Sequence, residues 1–196
     1  MQTIAIDIDE VLLPHFQDLI SYYNRVYGTR LTLSDNHPQD VTNWGTDSRS
    51  VAIKRVHKFF DTEEFKNSKP FAEAKEAVKK LSEDYNLIII TARDTIIEET
   101  TRNWLNEHFP DLFKEIHFAG TYTLDGTVKS KADIGLSANA DWLIDDSYEH
   151  ILQASKAGIK GILFGDYPWN NKQALPASSV RLNSWQKVLE HFYPNE

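Results

Sequence analysis

Apolar and polar positions along this chain fall into blocks whose period changes from one block to the next. Five runs read as strands: residues 2–7, then LIIIT, EIHFAG, DWLID and KGILFG. A short unbroken apolar run bounded by polar turns fits a strand buried on both faces, as in a parallel sheet covered by helices. Between these runs the apolar residues recur at helical spacing. HFQDLISYYNRVYG ends at Gly28, and FAEAKEAVKKLSED, TIIEETTRNWLNEHF, SKADIGLSA, SYEHILQASKAG and SWQKVLEHF follow it. Strands alternating with helices across short links predict an α/β fold, a Rossmann-like parallel sheet with helices on both faces.

One stretch breaks the alternation. From about Arg30 to Pro70 the chain is irregular and polar, with a helical segment SRSVAIKRVHKFF and aromatics at Trp44, Phe59, Phe60 and Phe65. It is too long for a plain connection. The expected organisation is a core of residues 1–12 and 73–196, with 13–72 inserted as a small helical cap over the carboxyl end of the first strand.

The polar ends of the apolar runs carry the candidate chemistry. Asp7 and Asp9 follow TIAI, Thr91 follows LIII, Lys131 opens a helix, and Asp145 with Asp146 follows DWLI. In open α/β sheets ligands bind outside the carboxyl ends of strands, where helix N-termini also present free N–H groups to anions. Carboxylates brought there by separate segments repel one another unless a cation lies between them. A hard divalent ion with oxygen ligands meets that need, and magnesium is the expected occupant.

Composition narrows the classes. A chain of 196 residues is long enough for one α/β domain with an insertion. The absence of cysteine excludes disulfides, thiolate zinc sites, iron–sulfur clusters and a cysteine nucleophile. A formal net charge of −8 disfavours a nucleic-acid polymer or an anionic membrane as partner, because both need a basic patch. Met1 runs almost directly into TIAIDID without a basic leader, and no apolar run approaches a membrane span, so a cytoplasmic protein is expected.

With those residues in place, the chain resembles the haloacid dehalogenase superfamily of phosphatases. DIDEVL matches the family's DxD motif, ITAR the second motif with Thr91, Lys131 the third, and LIDDS the fourth, in the family's order and over most of the chain. The resemblance implies that Asp7 attacks phosphorus and forms an aspartyl-phosphate, and that Asp9 protonates the leaving oxygen and later takes a proton from water. It further implies that Thr91 and the backbone around Ala92 and Arg93 bind the phosphoryl oxygens and that Lys131 neutralises them. Asp7, Asp145 and the Asp9 carbonyl would bind magnesium, and Asp146 would hold a metal-bound water. A spacing of two returns Asp9 to the strand face of Asp7, and an ionised carboxylate needs no base to act as nucleophile.

Several positions have competing readings. Asp9 with Glu10, and likewise Asp145 with Asp146, have helix capping as the structural alternative. Lys129 is the alternative to Lys131 as the motif lysine. Arg93 suits either a grip on substrate phosphate or a pairing with an acid such as Asp94. His15 reads as a structural or solvated histidine, with a substrate-facing role as the alternative. Asp166 and the YPWNN segment read as loop structure at the crevice rim. Glu10 stands where many relatives have glycine, which puts the geometry of the cap in question more than the chemistry.

The position and size of the cap, with DVTNWG and the following FF, F and PF, are similar to those of the 5'(3')-deoxyribonucleotidase branch. The substrate is accordingly expected to be a nucleoside monophosphate, with Trp44 and Phe60 as nucleobase contacts. The structural reading of those two aromatics is the cap's own core. Three other functions remain: a phosphatase for another small phosphomonoester such as a sugar phosphate, a signalling receiver domain, and a catalytically silent module that binds phosphate and metal. The receiver conflicts with the motif order, because here an acidic pair follows the lysine.

Overall fold

The apolar runs become the strands of one parallel sheet in the computed structural model, which describes residues 1–34, 44–46, 48–120, 130–171 and 174–194. The strands are β1 (Thr3–Ile6), β2 (Asn86–Thr91), β3 (Glu115–Phe118), β4 (Trp142–Asp145), β5 (Lys160–Phe164) and β6 (Ser179–Leu182). Their spatial order is β3-β2-β1-β4-β5-β6, and every neighbouring pair is parallel. The described helices are α1 (His15–Tyr27), α2 (Arg49–Phe60), α3 (Glu63–Lys66), α4 (Ala72–Asp84), α5 (Glu98–His108), α6 (Lys131–Ser137), α7 (Tyr148–Lys156) and α8 (Trp185–Phe192). The five expected strands are all present. The sixth, β6, lies at the sheet edge beside β5 alone and is only half-buried, so it lacks the continuous apolar run that marks the others.

Alternation along the strands divides the core into two layers. Ile4, Ile6, Leu87, Ile89, Ile144 and Ile162 face a cluster with Ala77, Leu81, Trp104, Leu105 and Trp185. Ala5, Ile88, Ile90, Leu143 and Leu163 point the other way, toward Ile151 and Ala154 of α7. A third cluster stands apart from the sheet. It gathers α1, α2 and α3 through Phe16, Leu19, Tyr23, Ile53, Val56, Phe59 and Phe65, and also takes in Trp44 and Ile97. Gly28 ends α1 in the left-handed region at φ 64°, with its N–H bonded to Asn24. The two connections between this helical layer and the sheet touch each other, since the Phe71 N–H donates to the Leu12 carbonyl at 2.8 Å.

The strand order reverses between β1 and β4: β2 and β3 lie on one side of β1, and β4 to β6 on the other. Such a switch point leaves a crevice at the carboxyl ends. The register pairs Ile6 with Ile144, so Asp7 and Asp145, each one residue further on, emerge level with each other beside that crevice. The Asp7 N–H still donates to the Ile144 carbonyl, at 3.0 Å, which fixes the backbone from which the carboxylate projects.

Candidate active site

Lys131 sits at the centre of the crevice. Its ammonium lies 2.7 Å from Asp7 Oδ2 and 2.7 Å from Asp145 Oδ2, and all three residues are buried. Lys131 is the first residue of α6, and Ser130 caps that helix by accepting from the Ala132 N–H. The competing Lys129 lies outside the described residues. Asp145 receives two further donors: the Ser147 N–H at 2.9 Å, and His150 Nδ1, which lies 3.0 and 3.2 Å from its two oxygens. Asp7 Oδ1 accepts the Ile8 N–H at 2.8 Å.

Asp9 occupies the side of the crevice facing the helical layer. Arg93 holds it by a forked contact, with Nη2 at 2.7 Å and Nε at 3.1 Å from Oδ1, and Nε also at 3.1 Å from Oδ2. The remaining arm of the guanidinium donates to Thr101 at 3.2 Å, and its face lies over the Phe65 ring. Of the two expected uses of Arg93, a carboxylate partner is the one seen, though the partner is Asp9 and not Asp94. Asp94 instead caps the turn at Thr95–Ile97 through the Ile96 N–H. Thr91 is fully buried at the end of β2, where its hydroxyl oxygen accepts the Arg93 N–H at 3.2 Å and keeps the O–H proton for another acceptor. Ala92, between them, is half-buried in the same turn.

The two expected nucleobase contacts part company. Trp44 is wholly buried among Phe16 and Tyr23, with ring centroids 5.6 and 5.3 Å away, so it has no face open to a ligand. Phe60 is buried as well, at 6% exposed, but its neighbours lead to the site. It packs on His15 and Phe65, and His15 Nδ1 is 3.7 Å from Asp9 Oδ1. His15 is therefore a buried residue at the base of the helical layer, not a solvated one.

Two further elements reach the site although sequence reasoning assigned them no role in it. Glu10 is a buried carboxylate in the left-handed region, φ 60°, and it accepts the Phe16 N–H at 2.5 Å near the start of α1. The loop after β5 supplies the other. Trp169 Nε1 donates to Asp146 Oδ2 at 2.7 Å, the Tyr167 hydroxyl donates to the Glu10 carbonyl at 2.7 Å, and Asn170 donates to the backbone carbonyls of Asp146 and Phe164. The YPWNN segment read as rim structure thus reaches the acidic cluster directly. A glycine-ended strand followed by two aromatics and an amide, at a sheet's carboxyl end, was the available signal.

Electrostatics separates the carboxylates. Burial pushes the Asp7 carboxyl up to about 6, with Asp145 and Asp9 adding to the rise and Lys131 opposing it. Burial also raises Asp146 and Glu10 well above the usual carboxylate range, aided by Asp145 and Asp7 for the former and by Asp146 and Asp9 for the latter. Asp145 and Asp9 behave oppositely. Burial would raise both, yet Lys131 and His150 hold Asp145 low, and Arg93 with His15 holds Asp9 low. Burial lowers His15 to about 4, which leaves its imidazole neutral.

Five buried or half-buried carboxylates therefore face two permanent cations, Lys131 and Arg93. Asp7, Asp145 and Asp146 each bring one oxygen to within 4.8 Å of the others. An all-oxygen donor set in which the carboxyl groups of Asp7 and Asp146 are both raised fits a hard divalent ion, which would favour their charged forms.

A Rossmann-like sheet with a buried aspartate beside a lysine and an acidic pair at its switch point belongs to a phosphatase of the haloacid dehalogenase superfamily, a phosphomonoester hydrolase. Residues 1–192 match the family model described as 5' nucleotidase, deoxy (pyrimidine), cytosolic type C protein, and the chain belongs to that family. It is 26% identical over 190 residues to the nucleotidase CA_C3379 of Clostridium acetobutylicum, covering 94% of this chain and 90% of that protein. A 5'(3')-deoxyribonucleotidase from the same organism is 29% identical over 110 residues, 55% of this chain and 59% of its own length. Among solved structures, the haloacid dehalogenase-like protein SP0104 of Streptococcus pneumoniae superposes with a TM-score of 0.70 at 16% identity, over 98% of both chains. The HAD-hydrolase YfnB of Bacillus subtilis, solved bound to magnesium, does so at 0.64 and 14%, also over 98% of both.

Proposed function

We propose that the protein is a magnesium-dependent 5'-nucleotidase that hydrolyses (deoxy)nucleoside monophosphates through a phosphoryl group carried on Asp7, and that residues 13–72 form its cap. The observation that carries this reading is the Lys131 bridge between Asp7 and Asp145 at the switch point, with Asp9 set apart by Arg93. One buried carboxylate is left facing a cation while its neighbour two residues away sits beside the aromatic wall of the helical layer.

Asp7 attacks phosphorus, forming a carboxylate O–P bond as the ester P–O bond breaks, and the departing oxygen takes a proton from Asp9, which must first gain it from the substrate monoanion or water because Arg93 and His15 hold its carboxyl low in the resting site. Asp9 then takes a proton from water, whose oxygen displaces Asp7 and yields inorganic phosphate. Lys131 offsets the charge of nucleophile and phosphoryl oxygens, and the Thr91 O–H donates to those oxygens. Because Asp9 must reach the leaving oxygen, the nucleoside lies on the Asp9 side, where Phe60, Phe65 and His15 present rings. Magnesium, when bound, supplies further neutralisation of the phosphoryl oxygens. The donors around the acidic pair reverse their expected order: Asp145 is committed to Lys131, Ser147 and His150, whereas Asp146 accepts only from Trp169 among the described residues. We therefore assign direct ligation to Asp7, Asp146 and the Asp9 carbonyl, with Asp145 orienting the lysine.

The small-molecule reading agrees with an acidic chain in which no described helix is long and apolar enough to cross a membrane. A cytoplasmic setting is part of the proposal. Phosphate release from a panel of nucleoside monophosphates and sugar phosphates, with and without magnesium, tests the substrate. The burial of Trp44 favours a second reading, another small phosphomonoester, which indifference to nucleotides would establish. Rapid acid quench followed by peptide mass analysis should find phosphate on the peptide containing Asp7, and Asp7→Asn should abolish it.

A further inference from the structure

Asp146 and Asp145 are adjacent in sequence and equally acidic, yet they are held by different kinds of donor. Asp145 faces an ammonium, which cancels its charge. Asp146 faces an indole, a neutral group that donates one hydrogen bond and accepts none. A donor of that kind fixes the rotation of a carboxylate while leaving its full negative charge for something else.

The indole is itself tightly placed. The Trp169 ring lies on the Tyr167 ring with centroids 4.8 Å apart and planes 1° from parallel, and it meets the Phe16 ring of α1 in an edge-on arrangement with centroids 5.6 Å apart. Tyr167 is anchored through its hydroxyl to the Glu10 carbonyl. Asn170, fully buried, accepts the Tyr167 N–H at 3.1 Å and an Arg181 guanidinium N–H at 3.2 Å, and donates to the Asp146 carbonyl at 3.0 Å. One loop, 165–171, therefore grips both the backbone and the side chain of Asp146. Gly165 makes room for it: φ is +79°, and a Cβ there would stand 2.2 Å from the Tyr167 ring.

We propose that Trp169 is a positioning residue of the metal site, whose indole N–H aims the Asp146 carboxylate and thereby sets the affinity for the divalent ion. The inference rests on the metal reading given above. Hydrogen-bond partners behind metal ligands commonly govern affinity by about 10–100-fold. Trp169→Phe removes the N–H and keeps a ring to stack on Tyr167, so it isolates the bond from the packing.

The test is calorimetric titration of the full, metal-free chain with Mg2+ alone. Trp169→Phe should raise Kd by about tenfold or more, with the melting temperature of the metal-free protein unchanged. Asp146→Asn should weaken binding as well, and adding Trp169→Phe to it should weaken binding little further, because the indole acts through that carboxylate. In the wild-type protein labelled with nitrogen-15, the Trp169 indole resonance should move on titration, with a midpoint matching the calorimetric Kd. An unchanged Kd in Trp169→Phe overturns the proposal. Should that variant fail to fold, an indole resonance that stays still through Mg2+ saturation overturns it equally. If the wild-type chain takes up no Mg2+ at all, the metal reading itself is what fails.

Discussion

Asp7→Asn should make the metal-free protein more stable at pH 8 while destroying its activity. The Asp7 carboxyl is raised from 3.8 to about 6 in the folded chain, chiefly by burial and then by Asp145 and Asp9 against Lys131. A carboxylic acid whose folded value exceeds its unfolded value destabilises the fold wherever it is forced to ionise, which here means above about pH 6. That penalty shrinks as pH falls and is gone below about 4. A shift of about two units at about 1.4 kcal/mol each amounts to about 3 kcal/mol, or about 6–12 °C in melting temperature for a chain of this size. Asparagine removes the charge at nearly the same volume, and Lys131 keeps its second partner, Asp145. Urea unfolding in the presence of a chelator, at pH 8, 7, 6, 5 and 4, measures the difference. The gap should be largest at pH 8 and close toward pH 4, and saturating Mg2+ should narrow it by binding the wild type preferentially. A variant no more stable than wild type at pH 8, or a gap indifferent to pH, refutes the electrostatic account.

Other substitutions separate the remaining roles. Asp9→Asn should cut turnover of a nucleotide by about 10²–10⁴-fold, while a nitrophenyl ester, whose leaving group needs no proton, loses far less and the Kd for Mg2+ stays as in wild type. Phe60→Ala should raise KM for nucleotides about tenfold, as expected for loss of one base–aromatic contact, without altering KM for a small sugar phosphate. Trp44→Ala should instead lower stability by about 3–5 kcal/mol, read by urea unfolding at pH 7. Gly165→Ala should displace the Tyr167 ring and weaken Mg2+ binding in calorimetry; unchanged binding would show that loop 165–171 tolerates the added carbon.

The sheet could be read from the chain because burial on both faces forces unbroken apolar runs, as in LIII before Thr91, and because the turns at their ends have to be polar. The polar site positions were legible for the same reason: Asp7, Thr91 and Asp145 each follow such a run. Pairings between distant residues were not. Arg93 and Asp9 are 84 positions apart, and only the neighbouring places of β2 and β1 in the sheet bring them together. Aromaticity in the insertion was ambiguous for a related reason, since Trp44 and Phe60 differ in depth within one cluster, which no local pattern records. β6 escaped because an edge strand buries little, and Trp169 because a loop side chain has no periodicity to reveal its target.

The bond between Leu12 and Phe71 has a mechanical consequence. The chain leaves the sheet for the helical layer and returns from it at two points fastened to each other, so the layer is hung from a single narrow pivot and not from two separated attachments. A rotation about that point would keep the fastening intact but would have to part the contacts of Phe65 with Arg93 and of Phe16 with Trp169, whereas sliding across the sheet would break the fastening as well. Those contacts join the layer to the partners of Asp9 and Asp146, so any such rotation would alter access for a nucleoside and order around the cation together.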